Sequence, residues 1–279
     1  MRAARRHRGT GAAARTAAGR RRGLPGVSDP RGAGLAALPA RVPEGLGEAA
    51  KGPDVRLLPV LAGGSDRDHT LCITSGQEAW IGFQTSNLRQ GAIMANLEAK
   101  LAQLKKLIGT QPEILAHDLD KNLLSSRFIH EIAEREALPL VAVQHHQALL
   151  AACLADNSWN SEEPVIGLIF DGTGFGTDGN IWGGEVLIGG YNGFHRKFHL
   201  QETLLPGGDS AIRNAAKIAF SQVQAAGIDL DNDLPFLNVL TDIERSTLRS
   251  QIDHHINTPV TTSMGRLFDA VSSILGVCH

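Results

Sequence analysis

The chain has 279 residues, a hydrophobic content of 42% and a formal net charge of −2. Residues 1–28 carry eight Arg and no acidic residue, so the rest of the chain holds 19 basic against 29 acidic side chains. This acidic body excludes a general nucleic-acid binder, which needs a basic face. No apolar run approaches the roughly 20 residues of a membrane span, so no membrane contact is expected.

Residues 1–52 are rich in Ala, Gly, Arg and Pro and contain almost no aromatic or β-branched residues. Such a segment cannot bury enough apolar surface to offset its loss of entropy on ordering, so we predict a disordered extension. A transit peptide is the alternative, although such peptides are also rich in serine and the first serine here is Ser28. The three cysteines, Cys72, Cys153 and Cys278, form no CxxC pair and fit a reducing, cytoplasmic setting.

Residues 53–163 are predicted to form a first lobe. Apolar runs at 57–62, 71–74 and 79–83 are separated by turn residues and predict a β-meander. A helix of about 17 residues from position 91 follows from apolar residues at helical spacing. Next come a strand at 112–116, a helix capped by Ser125 or Ser126, a strand at 138–143, and a helix through 149–154. This β-α-β-α order predicts an α/β fold.

Residues 164–279 are predicted to form a second lobe. It opens with the apolar run VIGLIF, which stops at Asp171, and continues with DGTGFGTDG before a second apolar run. This pattern predicts a β-hairpin. Its glycines would let backbone N–H groups approach an anion, and Asp171 and Asp178 could hold a cation or a hydroxyl. The residues alone leave a plain hairpin and a ligand-binding loop both open.

Three helices are predicted in the rest of the second lobe, at 210–225, at 241–252 and after a cap at Ser263. The turn Gly207-Gly208-Asp209 before the first of them could direct backbone donors at a phosphate, or could be an ordinary turn. Asp269 in the last helix could accept hydrogen bonds from a ribose, or lie on the solvated face. Because the sequence stops at His279 directly after that helix, we expect the second lobe to be truncated.

Polar residues follow three predicted strands, as His117-Asp118, His145-His146 and Asp171. Ligands of α/β sheets bind beyond the carboxyl ends of the strands, so these positions predict a site. Asp171 is the stronger candidate ligand, because a carboxylate beside glycines at a strand end is costly unless it is paired. His145 and His146 are adjacent and should diverge on a helix, so we do not expect both to bind one metal. On spacing alone, His145 fits a structural or capping role.

The sequence lacks GxSxG, a Walker loop, GxGxxG after a strand, and HExxH. Serine hydrolases, P-loop enzymes, Rossmann dehydrogenases and zincins are therefore not expected. Five collinear motifs instead resemble the C-terminal carbamoyltransferase region of the hydrogenase maturation protein HypF. They are AHDL (116–119), VQHHQA (143–148), FDGTGFGTDGNIWGGE (170–185), LPGGDSAIR (205–213) and TTSMGRLFDAVSSILG (261–276).

This resemblance implies an actin-like ATPase (ASKHA) fold, similar to the universal tRNA threonylcarbamoyl transferase, with two lobes around a nucleotide cleft. It also implies an activity. HypF makes carbamoyl adenylate from carbamoyl phosphate and ATP, and passes the carbamoyl group to a C-terminal cysteine of HypE. The implied partners are thus a HypE-like maturation protein and a nucleotide.

The resemblance further implies a site in which two histidines and an aspartate hold a divalent metal, Fe or Zn. His145 and Asp171 carry over as the catalytic and metal-binding residues. Eight further residues would line the nucleotide cleft and bind ATP or carbamoyl adenylate: Gly172, Gly174, Gly176, Gly207, Gly208, Asp209, Gly265 and Asp269.

The chain departs from the family pattern at three points. Leu149 stands where the family has its second histidine, and a leucine cannot ligate a metal. Asp68-His69 replaces a Lys-Asn pair, so an anion takes the place of a cation that could meet a phosphate. The acylphosphatase-like, zinc-finger and adenylate-forming domains that precede this region in the family are not in the sequence. The prediction is carbamoyl transfer, and the alternative is a catalytically silent remnant that binds nucleotide or a partner. Phosphotransfer by an actin-like sugar kinase would be a third reading, but no catalytic base is recognisable.

Overall fold

The computed structural model describes residues 49–51, 58–66, 69–76, 78–82, 93–230 and 233–278. They form two mixed β-sheets with helices packed on them, which confirms the predicted α/β class. Residues 49–51, at the end of the segment predicted to be disordered, form a strand instead. Residues 1–48 lie outside the described residues. No helix in the described part of the chain is long and apolar enough to cross a membrane.

The first sheet contains six strands, namely β1 (Ala49–Lys51), β2 (Val60–Gly63), β3 (Leu71–Ser75), β4 (Glu78–Ile81), β5 (Ile114–Asp118) and β6 (Leu140–Val143). Their order is β1-β4-β3-β2-β5-β6. The predicted meander is present as the antiparallel strands β2, β3 and β4. Strands β2, β5 and β6 run parallel, because helices α1 (Ile93–Ile108) and α2 (Leu124–Glu136) return the chain to the same edge.

The core of the first lobe lies where both helices meet one face of this sheet. Alternation along the strands turns Leu61, Ile73 and Leu115 inward, and helical spacing on α1 turns Leu97, Leu101 and Leu104 to meet them. Each of these side chains is at most 5% exposed. Burying one such leucine or isoleucine contributes about 2 kcal/mol, so this stripe fixes the position of both helices.

The start of α2 is capped by a residue that the sequence did not indicate. Neither Ser125 nor Ser126 is the cap, since the N-cap residue is Leu123, which offers no side-chain acceptor. Asp66 takes this role from the loop after β2, accepting hydrogen bonds from the N–H groups of Leu124 at 3.0 Å and Ser125 at 2.9 Å. The loop after β2 is therefore tied to the helix that follows β5.

Replacing Asp66 with alanine should lower the free energy of unfolding by about 2 kcal/mol, because two N–H groups of the first turn lose their acceptor. Urea denaturation of the whole chain measures this loss. Asp66→Asn is the matched control, since it keeps one carbonyl oxygen and should lose less. An Asp66→Ala protein as stable as the wild type would show that water satisfies the helix end equally well.

The second sheet contains β7 (Val165–Phe175), β8 (Ile181–Gly190), β9 (Gly193–His199), β10 (Thr203–Leu204) and β11 (Val260–Thr261). Its order is β10-β11-β8-β7, and β9 also pairs with β8. The predicted hairpin is present as the antiparallel pair β7 and β8. Strand β7 does not end at Asp171 as predicted. It continues to Phe175 through an irregularity between Phe170 and Gly174, which turns Asp171 out of the regular ladder.

The helices of this lobe are α4 (Ala215–Ala225), α5 (Asp242–Asp253) and α6 (Met264–Ile274), with 3-10 helices at Gly208–Arg213 and Pro235–Asn238. The predicted helix at 210–225 is wrong in its first turn. Asn214 is extended, with φ of −141°, and its side chain accepts the N–H of Lys217 to start α4. The predicted helix at 241–252 is present as α5, with Thr241 as its N-cap, and the predicted cap at Ser263 for α6 is confirmed. Phe220, Phe236 and Ile218 form the centre of the core between these helices.

Helix α3 (His145–Asp156) connects β6 of the first sheet to β7 of the second. It lies directly on β7. A Cβ atom added at Gly167 would come within 2.4 Å of Leu150 Cδ2, so a larger residue there would displace the Leu150 side chain. Leu150 also packs with Ile169 and Leu187 in a small core of its own. This contact brings the first turn of α3 beside Asp171.

Candidate functional site

Side chains from both lobes converge at the first turn of α3. His145 Nδ1 lies 3.2 Å from Asp118 Oδ2 at the end of β5, and His145 Nε2 lies 3.5 Å from Asp171 Oδ2 on β7. The side chain of His145 is 23% exposed, so the cluster is partly open to solvent. The structure thus brings together polar residues at the end of β5, after β6 and within β7.

Asp118 sets both the orientation and the charge of His145. Its Oδ1 accepts the N–H of Asp120 at 2.9 Å, which leaves Oδ2 for the imidazole. This hydrogen bond raises the pKa of His145 above its usual value. Burial acts in the opposite direction, and the nearby charge of Asp171 adds to the increase. With Nδ1 bonded to a carboxylate, Nε2 is directed at Asp171.

His146 is completely buried and also faces Asp171, with its Nε2 atom 3.4 Å from Oδ2. The expected divergence of the two histidines is therefore wrong. Their rings are 5.5 Å apart at 87°, and both ε nitrogens reach one carboxylate oxygen. Gln144, the N-cap residue of α3, explains the orientation of His146. Its Nε2 group lies 3.0 Å from Phe175 O and 2.8 Å from His146 Nδ1, so it donates to that ring nitrogen and the neutral imidazole keeps its proton on Nε2.

Asp171 is held by its neighbours on one oxygen only. Oδ1 accepts the N–H of Gly172 at 2.6 Å. Oδ2 is buried and, among the described residues, has no hydrogen-bond partner, although His145 Nε2 lies 3.5 Å and His146 Nε2 3.4 Å from it. Burial alone would raise the pKa of Asp171, but His146, the Gly172 N–H and His145 outweigh it and hold the pKa below its usual value. The carboxylate of Asp171 is thus held as an anion between the two imidazoles.

Three of the predicted glycines are required by close packing at this cluster. A Cβ atom at Gly174 would lie 2.3 Å from His146 Cε1, and one at Gly176 would lie 2.1 Å from Trp182 Nε1. A Cβ atom at Gly265 would lie 2.9 Å from Gly172 Cα, so α6 begins against the hairpin. Ser263 Oγ, which caps α6, also donates to Gly172 O at 2.7 Å.

The other predicted cleft residues do not touch this cluster. Gly207 and Gly208 take positive φ angles in a turn held by a 2.8 Å bond from the Gly207 N–H to Asn257 O. Asp209 is exposed, and Asp269 pairs with Arg266 at 2.7 Å. Within the described residues, none of these four bonds to His145 or Asp171. Their place in a nucleotide cleft stays a prediction.

The strand-end pattern included Asp118 and His146 among the positions that predict a site, but neither was assigned a catalytic, metal-binding or nucleotide-binding role. Both stood in the motifs AHDL and VQHHQA. For Asp118 the signal was the strand order, because β5 and β6 are parallel neighbours and their carboxyl ends must adjoin. For His146 no local signal was present, since its direction depends on Gln144 and the glycines of β7.

A metal held by two histidines and an aspartate does not fit the residues present. His145 and Asp171 could each supply one donor, but His146 turns the protonated Nε2 of its ring to the cluster, and the side chain one turn after His145 is Leu149, which is 42% exposed. Protein metal sites of this kind use three or four side-chain ligands. In the described ranges, no group of three or more His, Cys, Asp or Glu is arranged to hold a metal ion. No chemical step is therefore derived through a metal.

His117 turns away from the cluster, although it precedes Asp118. Its ring is 4% exposed and packs edge-on against His130, with the ring centres 4.5 Å apart. Burial lowers the pKa of His117, while a backbone hydrogen bond to Asp118 opposes this and His130 adds to the decrease. His117 is thus a core residue of the first lobe.

The buried His117 should make the protein less stable in mild acid. In the unfolded chain this residue takes up a proton near pH 6.5, and in the folded chain only at lower pH. Below pH 6.5 the unfolded state therefore binds more protons, so the free energy of unfolding falls as pH falls. Urea denaturation between pH 7.5 and 5.5 should show a shallower fall for His117→Gln than for the wild type. Equal slopes would mean that His117 does not titrate differently in the two states.

Two family models match the chain. Residues 56–156 match the HypF Kae1-like domain, and residues 167–279 match the second subdomain of the carbamoyltransferase Kae1-like domain. Carbamoyltransferase HypF2 of Cupriavidus necator is 36% identical over 236 residues, which are 84% of this chain and 28% of that protein. Carbamoyltransferase HypF of Rhizobium leguminosarum bv. viciae is 37% identical over 238 residues, 85% of this chain and 29% of that protein.

The fold is similar to the crystal structure of full-length HypF in its phosphate- and nucleotide-bound form. The TM-score is 0.74 at 33% identity, over 82% of this chain and 29% of that one. This similarity confirms the predicted actin-like fold. The chain spans less than a third of the length of these relatives. Both family models and the structural match point to one group, and the chain belongs to the HypF family through its Kae1-like region.

Proposed function

We propose that the chain is the carbamoyl-transfer region of a HypF protein. It would bind carbamoyl adenylate and pass the carbamoyl group to the C-terminal cysteine of a HypE-like partner. The observation that carries this proposal is the convergence of His145, Asp118 and Asp171 at the glycine-rich hairpin. All three residues lie in motifs that the chain shares with the family.

Nucleotide binding is supported by the surroundings of that hairpin. The N-terminus of α6, with Ser263 as its cap, lies against Gly172. Free N–H groups and the positive end of a helix dipole favour a phosphate. The similar full-length HypF structure is described as phosphate- and nucleotide-bound. The adenylate phosphate would then lie beside His145, whose raised pKa favours the cationic form.

The proposed transfer is an acyl substitution at the carbamoyl carbon. The thiolate of the acceptor cysteine attacks the carbamoyl carbon, the new C–S bond forms, and the C–O bond to the adenylate phosphate breaks. AMP leaves with the bonding pair, and the proton of the thiol goes to solvent or a base. His145 would donate a hydrogen bond to the oxygen on which negative charge develops, and Asp118 would hold the ring in that orientation.

Purified chain mixed with carbamoyl adenylate and a HypE-like protein tests the proposal. Mass spectrometry should find one carbamoyl group on the terminal cysteine, and none when that cysteine is replaced by serine. Asp171→Asn should remove most of the product. No product from a correctly folded chain that still binds ATP would reject the transfer activity.

The second candidate is a silent module that binds nucleotide or partner without chemistry. Leu149 favours it, because the family's second histidine is missing. Under this alternative, calorimetry would detect ATP binding, while the transfer assay would yield no carbamoylated product. The partner would still bind, since docking does not require the reacting groups.

Restoring the histidine at position 149 tests whether Leu149 is what prevents metal binding. Positions 145 and 149 lie one turn apart on the same face of α3, so Leu149→His should raise the zinc or iron bound per chain. Metal analysis after dialysis measures this change, with Leu149→Gln as the control that adds polarity without an imidazole. If Leu149→His leaves the metal content unchanged, the leucine is not what prevents metal binding.

A further inference from the structure

Behind the candidate site, Arg196 of strand β9 joins a network of ion pairs and hydrogen bonds that no step of the proposed function uses. This network starts at the turn of the β7–β8 hairpin. Asp178 Oδ1 accepts the N–H of Asn180 and the indole Nε1–H of Trp182, each at 2.9 Å. These two bonds fix the turn and the plane of the indole together.

Arg196 of β9 joins this turn to the rest of the second lobe. Its Nη1 donates to Asp178 Oδ2 at 3.1 Å, its Nε donates to Glu185 Oε2 at 2.6 Å, and its Nη2 reaches Thr262 Oγ1 at 3.3 Å. The guanidinium also stacks over the ring of Trp182, 4.1 Å from its centre. One side chain therefore contacts both acids, the threonine and the indole.

Glu185 anchors this arginine from inside the protein. It is fully buried, and its Oε1 accepts the N–H groups of Gly183 at 3.0 Å and Gly184 at 3.1 Å and the hydroxyl of Thr262. Burial alone would raise the pKa of Glu185, but Thr262, Arg196 and the two N–H groups outweigh it and lower the pKa. The Glu185 carboxylate is thus held as an anion in a fixed position, and it fixes one end of the Arg196 guanidinium.

Trp182 connects this network to the candidate site. Its ring is 4% exposed and lies 6.1 Å from the ring of His146, tilted by 32°. Its Nε1 edge also packs on the backbone at Gly176, where a Cβ atom would lie within 2.1 Å. The indole therefore forms the wall behind both the glycine loop and the histidine that faces Asp171.

We infer that Arg196 is a positioning residue of the candidate site, acting through Trp182 on His146 and the glycine loop. The expected effect of Arg196 on catalysis rests on the proposed function. Its expected effect on the geometry of the site does not. Only an arginine can serve here, because three N–H directions and a flat stacking face are used at once. A lysine could neutralise Glu185 but could not also hold Asp178 and the indole.

Three variants test the inference. Arg196→Lys keeps a cation beside Glu185. Arg196→Met combined with Glu185→Gln removes both charges, so that no buried carboxylate is left unpaired. Lys197→Met is the matched control, since it removes an exposed cation from the next position of the same strand. For each protein we would measure the unfolding midpoint, the dissociation constant for ATP, the transfer rate, and the NMR signal of the His146 ring, assigned by its loss in His146→Gln.

Arg196→Lys should unfold close to the wild-type midpoint, yet shift the His146 signal and weaken ATP binding and transfer at least tenfold. The double variant should also shift the signal, and Lys197→Met should change none of these quantities. A wild-type His146 signal in Arg196→Lys or in the folded double variant would overturn the inference, because the arginine would then serve stability alone. If the wild type neither binds ATP nor transfers carbamoyl, the proposed function fails, and the His146 signal still decides the role of Arg196.

Discussion

Replacing Gly174 with alanine should lower the rate of carbamoyl transfer about a hundredfold, because a shift of about 1 Å in a reacting group costs that much. The added Cβ atom would lie 2.3 Å from His146 Cε1 and 3.1 Å from His145 Cδ2. Either the His146 ring or the loop would have to shift, and the His145 ring would have to give by a few tenths of an ångström. His146 is fully buried against Trp182, so the displacement would pass to His145 and to the loop.

The loss of stability in Gly174→Ala should be about 1–3 kcal/mol, the usual cost of an overpacked site. Steady-state transfer and urea denaturation of the same preparation separate the two effects. Gly190→Ala is the control, because that glycine ends β8 far from the hairpin turn and its added Cβ atom would meet only Glu163 O, at 4.0 Å. Equal rates for the Gly174→Ala and Gly190→Ala proteins would show that the rings relax at no cost.

Phe220→Ala should destabilise the protein by about 3–5 kcal/mol, the usual loss when a buried phenylalanine leaves a cavity. Phe220 is 1% exposed in the middle of α4, where it packs in the core with Phe236 and Leu237. Domains of this size are stable by only about 5–15 kcal/mol, so the variant should populate unfolded protein at moderate temperature.

Denaturant unfolding followed by circular dichroism measures the effect of Phe220→Ala. Phe268→Ala is the matched control, since Phe268 is 66% exposed on α6 and its removal should cost far less. If both variants lose the same free energy, the packing of α4 in this core is not what stabilises the second lobe. If neither changes, the second lobe contributes little to the transition.

The class of fold and the order of its elements could be predicted because they depend on local patterns. The VIGLIF run, the DG turn and the second apolar run define the hairpin of β7 and β8 by themselves. Ser263 could be identified as a cap for the same reason, since its hydroxyl lies within three residues of the N–H that it satisfies. The helix predicted at 210–225 failed at Asn214, where a side-chain cap begins α4 five residues later than expected.

Contacts between distant segments could not be predicted in this way. Asp66 caps a helix whose first residues lie 58 and 59 positions further along the chain. Arg196 reaches Thr262 across 66 positions. No periodicity of hydrophobic residues carries such information, because the pairing depends on how the strands and helices are arranged in space.

The candidate site shows the same difference between local sequence patterns and contacts of distant segments. By itself, the sequence predicted an α/β protein with a glycine-rich hairpin, and its resemblance to the family marked Asp171 and His145 as candidate reacting groups and position 149 as lacking a ligand. Only the tertiary structure decided that Asp118 orients His145, and that His146 faces the same carboxylate oxygen. The physical reason is that a side chain's chemistry follows from its type, whereas its direction and charge follow from neighbours that folding brings within 3–4 Å.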